Sequence, residues 1–255
     1  MKSIISGFII AFAAYSKIPM PKVEWNKKNM KYALCFFPII GLVIGTLLYG
    51  WSFVCGEYGF GQTCFALVGA VIPIIVTGGI HLNGFMNTAD ALYSHEKREK
   101  KPEILKDPYV GAFAVISVIC FFFLYAAGLT LIWKKNQLLL LGISYVISRT
   151  LSGMSMVWFS TAKKEGALYT FASMAQKRTV RVVLVTLLAM CFISAVVIQP
   201  VIGAVMALAA MWVWTYFYYM SKNQFGGITG DLAGYFLCLC ELSSVIVIGA
   251  IGRVM

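Results

Sequence analysis

The sequence predicts an all-α, polytopic integral membrane protein. It should have about seven transmembrane helices after a short N-terminal re-entrant or interfacial helix. Hydrophobic residues make up 60% of the 255 positions and charged residues only 12%, whereas a soluble domain is about half apolar and a quarter charged. The apolar runs are continuous and close to the roughly 20 residues that a helix needs to cross a bilayer. Membrane β-strands would instead alternate apolar and polar residues over about 10 positions.

The first apolar segment, residues 3–15, is too short for a full span and precedes Ile18-Pro19-Met20-Pro21. This pattern favours a re-entrant or interfacial helix. No small-residue cleavage site separates the segment from the basic stretch that follows it, so we expect it to be retained and not removed as a signal peptide.

Seven longer apolar segments follow, and each is long enough to predict a transmembrane helix. They cover residues 32–54, 62–80, 111–133, 137–159, 182–199, 201–220 and 232–251. No internal repeat, linker or low-complexity stretch divides them. We therefore expect residues 1–255 to form a single transmembrane helical domain.

The net charge of +11 is concentrated in three segments between the apolar runs, 16–31, 81–110 and 160–181. With seven spans, these segments and the 221–231 connection fall on one side of the membrane, and Lys134-Lys135 is the exception. The positive-inside rule predicts that this side is cytoplasmic. The basic excess therefore indicates membrane orientation and not nucleic-acid binding. The seven cysteines lack a CxxC pair, which favours packing roles over disulfides or a zinc site.

A polar segment, His81–Gly111, interrupts the apolar pattern and is the strongest candidate for chemistry. In a helix, Asn83, Asn87 and Asp90 are spaced i, i+4 and i+7 and project from one face. Three oxygen-bearing side chains on one face suit Mg²⁺, which can neutralise phosphate charge. The alternative is a polar helix face at the membrane surface, with Asn87 or Asp90 capping a helix or bonding across helices.

Three further groups of polar residues need an explanation. Lys106-Asp107 precedes an apolar span and either binds an anionic substrate or ends the loop. Arg149 and Glu241 lie within apolar spans, where charge is costly, and either pair with each other or border a polar cavity. A glycine-rich connection precedes the last span, and it offers backbone N–H groups and a helix start to an anion or forms a plain turn. Its candidate residues are Gly226, Gly227, Thr229, Gly230 and Asp231.

The order of several short motifs, from about residue 5 to 245, resembles the cobalamin synthase family of adenosylcobinamide-GDP ribazoletransferases. The motifs are Ile-Pro-Met-Pro (18–21), Pro-Ile-Ile-Gly (38–41), Gly-Gly-Ile-His-Leu-Asn-Gly (78–84), Thr-Ala-Asp (88–90), Glu-Ile-Leu-Lys-Asp (103–107), Gly111, Ser148-Arg149, Lys-Glu-Gly (164–166) and Gly-Gly-Ile-Thr-Gly-Asp (226–231). The resemblance implies a Mg²⁺-dependent transferase of the bacterial inner membrane, with its active site facing the cytoplasm. Its substrates would be a corrinoid nucleotide, adenosylcobinamide-GDP, and α-ribazole or its 5′-phosphate, and GMP would be released.

Carried onto this chain, the resemblance implies catalytic roles for His81, Asp90 and Asp231. The metal ligands would be Asn83, Asn87, Asp90 and Asp231. Substrate contacts would come from Lys106, Asp107, Arg149, Glu165, Gly226, Gly227, Thr229 and Gly230.

The chain departs from the family pattern at two places. The family motif resembles His-Leu-Asp-Gly-x-x-Asp-x-x-Asp, but Asn83 and Asn87 replace its first two aspartates, and Pro108-Tyr109 replaces a usual Ser-Arg. The alternatives are an active enzyme with a remodelled metal site, a non-catalytic relative that binds corrinoid intermediates, or a small-solute transporter. The absence of internal repeats counts against a transporter. The oligomeric state, or an association with other late vitamin B12 enzymes, is left open.

Overall fold

The computed structural model describes residues 2–254, and within that range the chain forms twelve α-helices and no β-strand. Only an isolated parallel bridge, between Thr161 and Ile228, adds to the helices. In chain order the helices are α1 (Lys2–Tyr15), α2 (Lys27–Met30), α3 (Ala33–Glu57), α4 (Gln62–Thr77), α5 (Ile80–Tyr93), α6 (Lys101–Ile104), α7 (Ala112–Thr130), α8 (Lys135–Trp158), α9 (Gly166–Met174), α10 (Lys177–Ile198), α11 (Pro200–Phe225) and α12 (Gly230–Val254).

Six of these helices, α3, α7, α8, α10, α11 and α12, are long and apolar enough to cross a membrane. Many large apolar side chains on them face outward, such as Phe123, Ile193 and Trp212. Such surfaces are normal against lipid and unusual against water. The all-α polytopic membrane fold predicted from the sequence is therefore confirmed.

The segment 62–80, predicted as one straight span, is instead the first half of a bent pair. α4 ends at Thr77, and Gly78 and Gly79 adopt left-handed conformations with φ of 65° and 76°. Glycine adopts this conformation without steric cost. The chain then turns by 98° into α5, so residues 80–93 are helical, although the sequence predicts a connection between spans for most of them. The pair raises the number of spans to seven if α4 and α5 count as one.

The N-terminal segment forms α1, a helix of 14 residues. Its length confirms the prediction of a short helix, and its re-entrant or interfacial position stays a prediction. A hydrogen bond joins the segment after α1 to the last turn of α4, since the Lys17 N–H donates to the Val76 carbonyl over 2.8 Å.

α8 is the central helix, packed against α3, α10 and α12. Every residue from Ser144 to Val157 is buried, and the hydroxyls of Ser144, Ser148, Thr150 and Ser155 donate to carbonyls of the preceding turn, as in Thr150 to Val146 O at 2.7 Å. This arrangement satisfies polar groups inside an apolar environment. α3 packs closely against α8 where two glycines meet. A Cβ added at Gly45 would lie only 2.7 Å from the Gly142 Cα, so there is no room for a side chain.

The connections after α5, α8 and α11 meet at one end of the helix bundle, which we call the site end. There the Lys101 Nζ donates to the Gln224 side chain over 2.6 Å, and Ala162 N donates to Ile228 O over 3.0 Å. The predicted grouping of the basic segments with the 221–231 connection is therefore confirmed. That this end faces the cytoplasm stays a prediction.

Candidate functional site

Two glycines allow α5 to pack directly on the beginning of α12. An added Cβ at Gly84 would lie 2.7 Å from the Asp231 carbonyl oxygen, and one at Gly234 would lie 2.7 Å from the His81 carbonyl oxygen. This close approach brings the polar face of α5 against the first turn of α12. As a result, the Asn87 Nδ2 donates to the Asp231 Oδ1 over 3.0 Å.

Asp231 is half-buried in the first turn of α12, whose N-terminus favours negative charge. The Thr229 hydroxyl accepts from Leu232 N over 3.3 Å and caps the helix. The prediction that Thr229-Gly230-Asp231 opens a helix is therefore confirmed.

Asp90 lies on the same helix as Asn87 but contacts a different neighbour. Its Oδ1 accepts from the Ala114 N–H over 3.2 Å and caps α7. Gly111, the N-cap residue, lies so close to this carboxylate that a side chain there would collide with it. The capping alternative is confirmed for Asp90, while its metal role stays a prediction. Within residues 2–254, no group of three or more His, Cys, Asp or Glu side chains could form a metal site.

A cavity of about 410 Å³ opens at the site end beside the α12 N-terminus. Lys106, Lys163, Glu165, Thr229, Gly230 and Asp231 supply its polar lining. Lys106 Nζ lies 3.4 Å from Glu165 Oε1. Lys106 lowers the pKa of the neighbouring Lys163, because the neutral Lys163 amine can accept a hydrogen bond from the Lys106 ammonium, whereas contacts with Lys163 and Glu165 raise the pKa of Lys106. Two adjacent amines and a helix N-terminus suit an anionic group.

A second cavity of about 230 Å³ adjoins the first and extends between the helices. The two share four lining residues, which are Ala167, Leu168, Gly230 and Asp231. Tyr15 and Phe37, whose ring centroids are 4.3 Å apart, give the second cavity an aromatic wall. His81 and Asn83 add polar groups. Asp231 thus lies at the junction of a cavity lined by two lysines and a cavity with one aromatic wall.

The glycine-rich connection is only partly available to a ligand. Gly226 ends α11 with φ of 77°, and Gly227 is buried against the chain at 160–162, where an added Cβ would lie 2.6 Å from Ser160 O. Gly230, in contrast, is exposed and lines both cavities. The close backbone approach at Gly227 is therefore to this chain's own backbone.

Arg149 and Glu241 form an ion pair inside the helix bundle, where Arg149 is 1% exposed. Arg149 Nη1 also donates to Ser148 Oγ over 2.9 Å. The pairing considered from the sequence is confirmed. Both residues line a separate space of about 30 Å³ that also contacts His81. Neither residue lines the two cavities at the Asp231 junction.

Three further residues, Asp107, Lys163 and Tyr15, differ in their position relative to the two cavities. Asp107 lies outside the lining of both cavities and accepts from Tyr109 N over 2.9 Å, which stabilises a local turn. Lys163 lines the larger cavity but was not singled out from the sequence, although it adjoins the Lys164-Glu165-Gly166 motif. Tyr15 carried no local signal, because it reaches the site only through the packing of α1 on α3.

Comparison with known proteins gives a consistent result along nearly the whole chain. The family model described as cobalamin-5-phosphate synthase matches residues 7–249. A relative from Lachnoclostridium phytofermentans is 40% identical over 93% of this chain and 91% of its own length. One from Clostridium perfringens is 32% identical over 98% of this chain and its full length, and one from Geobacillus kaustophilus is 29% identical over 92% and 91%. All three are named adenosylcobinamide-GDP ribazoletransferase.

No solved structure shows significant similarity to the chain. The family match and the relatives show that this chain belongs to the cobalamin-5-phosphate synthase family.

Proposed function

We propose that this chain joins adenosylcobinamide-GDP to α-ribazole or its 5′-phosphate and releases GMP, a late step of cobalamin synthesis. Family membership supports this activity. The structural observation that carries the proposal is the position of Asp231 between a cavity lined by two lysines and a cavity with an aromatic wall. The lysine-lined cavity suits a diphosphate, and the aromatic wall suits a flat base. Two substrates that carry these groups would need such cavities side by side.

The larger cavity is the proposed diphosphate site. Lys106, Lys163 and the N-terminus of α12 provide positive charge, which stabilises the negative charge that develops on phosphate oxygens during transfer. Glu165, paired with Lys106, keeps that side chain beside the cavity. Arg149 is not assigned a phosphate contact, because it is paired with Glu241 and lies outside this cavity.

The smaller cavity is the proposed site for α-ribazole, with its base against Tyr15 and Phe37. The His81 Nε2 is buried and has no hydrogen-bond partner among the described residues, so it is free to accept the proton of the ribazole hydroxyl. That hydroxyl oxygen would form a bond to the phosphorus attached to cobinamide. The bond from this phosphorus to the GMP oxygen would break, and GMP would leave with the electron pair.

Mg²⁺ is the cofactor we propose for this site, where it would neutralise diphosphate charge. The donors that fit it are the Asp231 carboxylate and the carbonyl oxygens of Asn83 and Asn87. Mg²⁺ is commonly bound through one or two carboxylates together with substrate phosphates and waters. A set with one nearby carboxylate therefore suits an ion that binds together with the diphosphate.

The direct test mixes purified protein with adenosylcobinamide-GDP, α-ribazole and Mg²⁺ and measures GMP. We expect GMP release that requires both substrates. Tight corrinoid binding without GMP at any Mg²⁺ concentration would favour the non-catalytic relative, an alternative that the Asn83 and Asn87 replacements support.

The proposed cytoplasmic position of the site rests on the basic segments at the site end. Cysteine residues introduced there can be labelled from one side of sealed vesicles to test it.

Restoring two carboxylates should strengthen Mg²⁺ binding. In Asn83→Asp with Asn87→Asp, Asp231 loses a neutral donor and gains negatively charged neighbours, so a divalent cation becomes more favourable there. We expect the half-saturating Mg²⁺ concentration to fall about tenfold or more. The measurement is GMP release across a Mg²⁺ titration. Asn136→Asp, an exposed change at the opposite end, is the matched control, and an equal response in both proteins would exclude these positions as metal ligands.

A further inference from the structure

A cavity of about 490 Å³ lies at the end of the bundle opposite the site end. The beginning of α8, the turn between α10 and α11, and the last turn of α12 meet around it. Its polar lining comes from Lys134, Gln137 and Gln199, and Gly252 lies at its wall. Nothing in the proposed transferase reaction uses these residues.

The charged side chains that line or adjoin this cavity within residues 2–254 are all basic. Lys134 lines it, Lys135 follows at the first position of α8, and Arg253 lies in the last turn of α12 beside Gly252. Among residues 2–254, no carboxylate contributes to the lining. These cations lie at the end that is otherwise poor in basic residues, so membrane orientation does not explain them.

Gln137 is the observation that points to a ligand. The side chain is 1% exposed, and its Oε1 accepts from Lys134 N at 2.9 Å and from Trp133 N at 3.1 Å. Its Nε2 has no hydrogen-bond partner in the part of the chain described. A buried amide donor without a partner is costly, and most such groups in proteins are paired. An acceptor oxygen in the cavity would satisfy it.

Capping of helices explains only part of this arrangement. Lys134 Nζ lies 3.5 Å from the Gly252 carbonyl, a long contact that uses one of its three donors. The remaining donors of Lys134, the Gln137 Nε2 and the positive end of the α8 dipole all favour an anion. The oxygens of a phosphate group match this set of donors.

We propose that this cavity binds the phosphate of an anionic phospholipid headgroup in the membrane leaflet opposite the active site. The apolar surface beside the cavity favours a lipid over a free anion as the ligand. Val197 and Val201 flank the turn between α10 and α11 and are 76% and 49% exposed, and Trp133 is 37% exposed. Acyl chains can lie along the two valines, while an interfacial tryptophan is typical of the headgroup level. Basic pockets between transmembrane helices bind lipid headgroups on the cytoplasmic side of membranes, and the same donor chemistry is present here in the opposite leaflet.

The test compares the protein in phosphatidylcholine nanodiscs with and without phosphatidylglycerol. We expect phosphatidylglycerol to raise the thermal unfolding midpoint in a saturable manner, because a ligand of the folded state stabilises it. In Gln137→Glu the acceptor oxygen for Trp133 and Lys134 remains, but the unpaired donor becomes an anion. Both this variant and Lys134→Gln should require about tenfold more phosphatidylglycerol for half the effect.

Lys27→Gln, which removes an exposed cation at the site end, should behave like the unchanged protein. Lys134 is exposed, so Lys134→Gln provides the answer even if Gln137→Glu fails to fold. An equal response of Lys134→Gln and the unchanged protein would overturn the proposal. Inorganic phosphate added to phosphatidylcholine nanodiscs should have no effect, and stabilisation by it would show a soluble-anion site instead of a lipid site.

Discussion

Replacing Asp231 by asparagine is expected to lower kcat for GMP release by about a hundredfold to a thousandfold, the range seen when one electrostatic contact to a transition state is removed. The carboxylate is the only acidic group that lines both cavities in residues 2–254. Asparagine has the same shape and can still bond Asn87, so the change removes charge and leaves the packing of α5 on α12. The electrostatic balance of the lysine-lined cavity would be lost, and the proposed Mg²⁺ ligand would lose its negative charge.

Two matched variants make this result specific. Glu57→Gln removes an exposed carboxylate at the other end of α3 and should leave kcat unchanged. Asp90→Ala tests the metal role assigned from the family resemblance. If it lowers stability by about 1 kcal/mol, as loss of a helix cap does, and leaves kcat unchanged, then Asp90 acts only as the cap of α7. Near-normal turnover in Asp231→Asn would contradict the proposed site.

The helices were largely predictable because hydropathy is a local property of the sequence. Apolar runs of membrane length located α3, α7, α8, α10, α11 and α12, and the charge of the connections grouped the polar segments at one end. The bend between α4 and α5 was missed, since a hydropathy window continues across Gly78-Gly79. The pair of glycines was the available signal, because consecutive left-handed residues end a helix.

The site was less predictable because its contacts join distant parts of the chain. Helical spacing correctly placed Asn87 and Asp90 on one helix, but it could not show that Asn87 bonds Asp231, 144 residues away. Nor could it show that Asp90 caps α7. Periodicity gives the face on which a side chain lies, whereas its partner depends on which helix packs there. The Arg149–Glu241 pair was predictable for a different reason. A buried charge in an apolar helix bundle needs a partner, and few other charged side chains are present to provide one.

The largest effect on stability is expected from breaking this pair. Glu241→Ala leaves the Arg149 guanidinium buried without its counter-ion, which should cost about 3–5 kcal/mol of unfolding free energy. The contacts of Arg149 with Ser148 and with the Tyr145 ring, 5.3 Å from its centroid, are too weak to replace a carboxylate. Thermal unfolding in detergent or nanodiscs measures the change.

The double variant Arg149→Met with Glu241→Leu should recover most of the lost stability, because a buried ion pair can be replaced by apolar side chains of similar volume. The cycle formed by Arg149→Met, Glu241→Leu and the double variant isolates the pair energy. Kinetics on the double variant then shows whether Arg149 serves only the fold or also binds substrate. If stability is recovered and KM for adenosylcobinamide-GDP is unchanged, the pair serves the fold. If stability is recovered but KM rises strongly, Arg149 binds substrate, as the family resemblance implies, and its assignment as a purely structural cation is wrong.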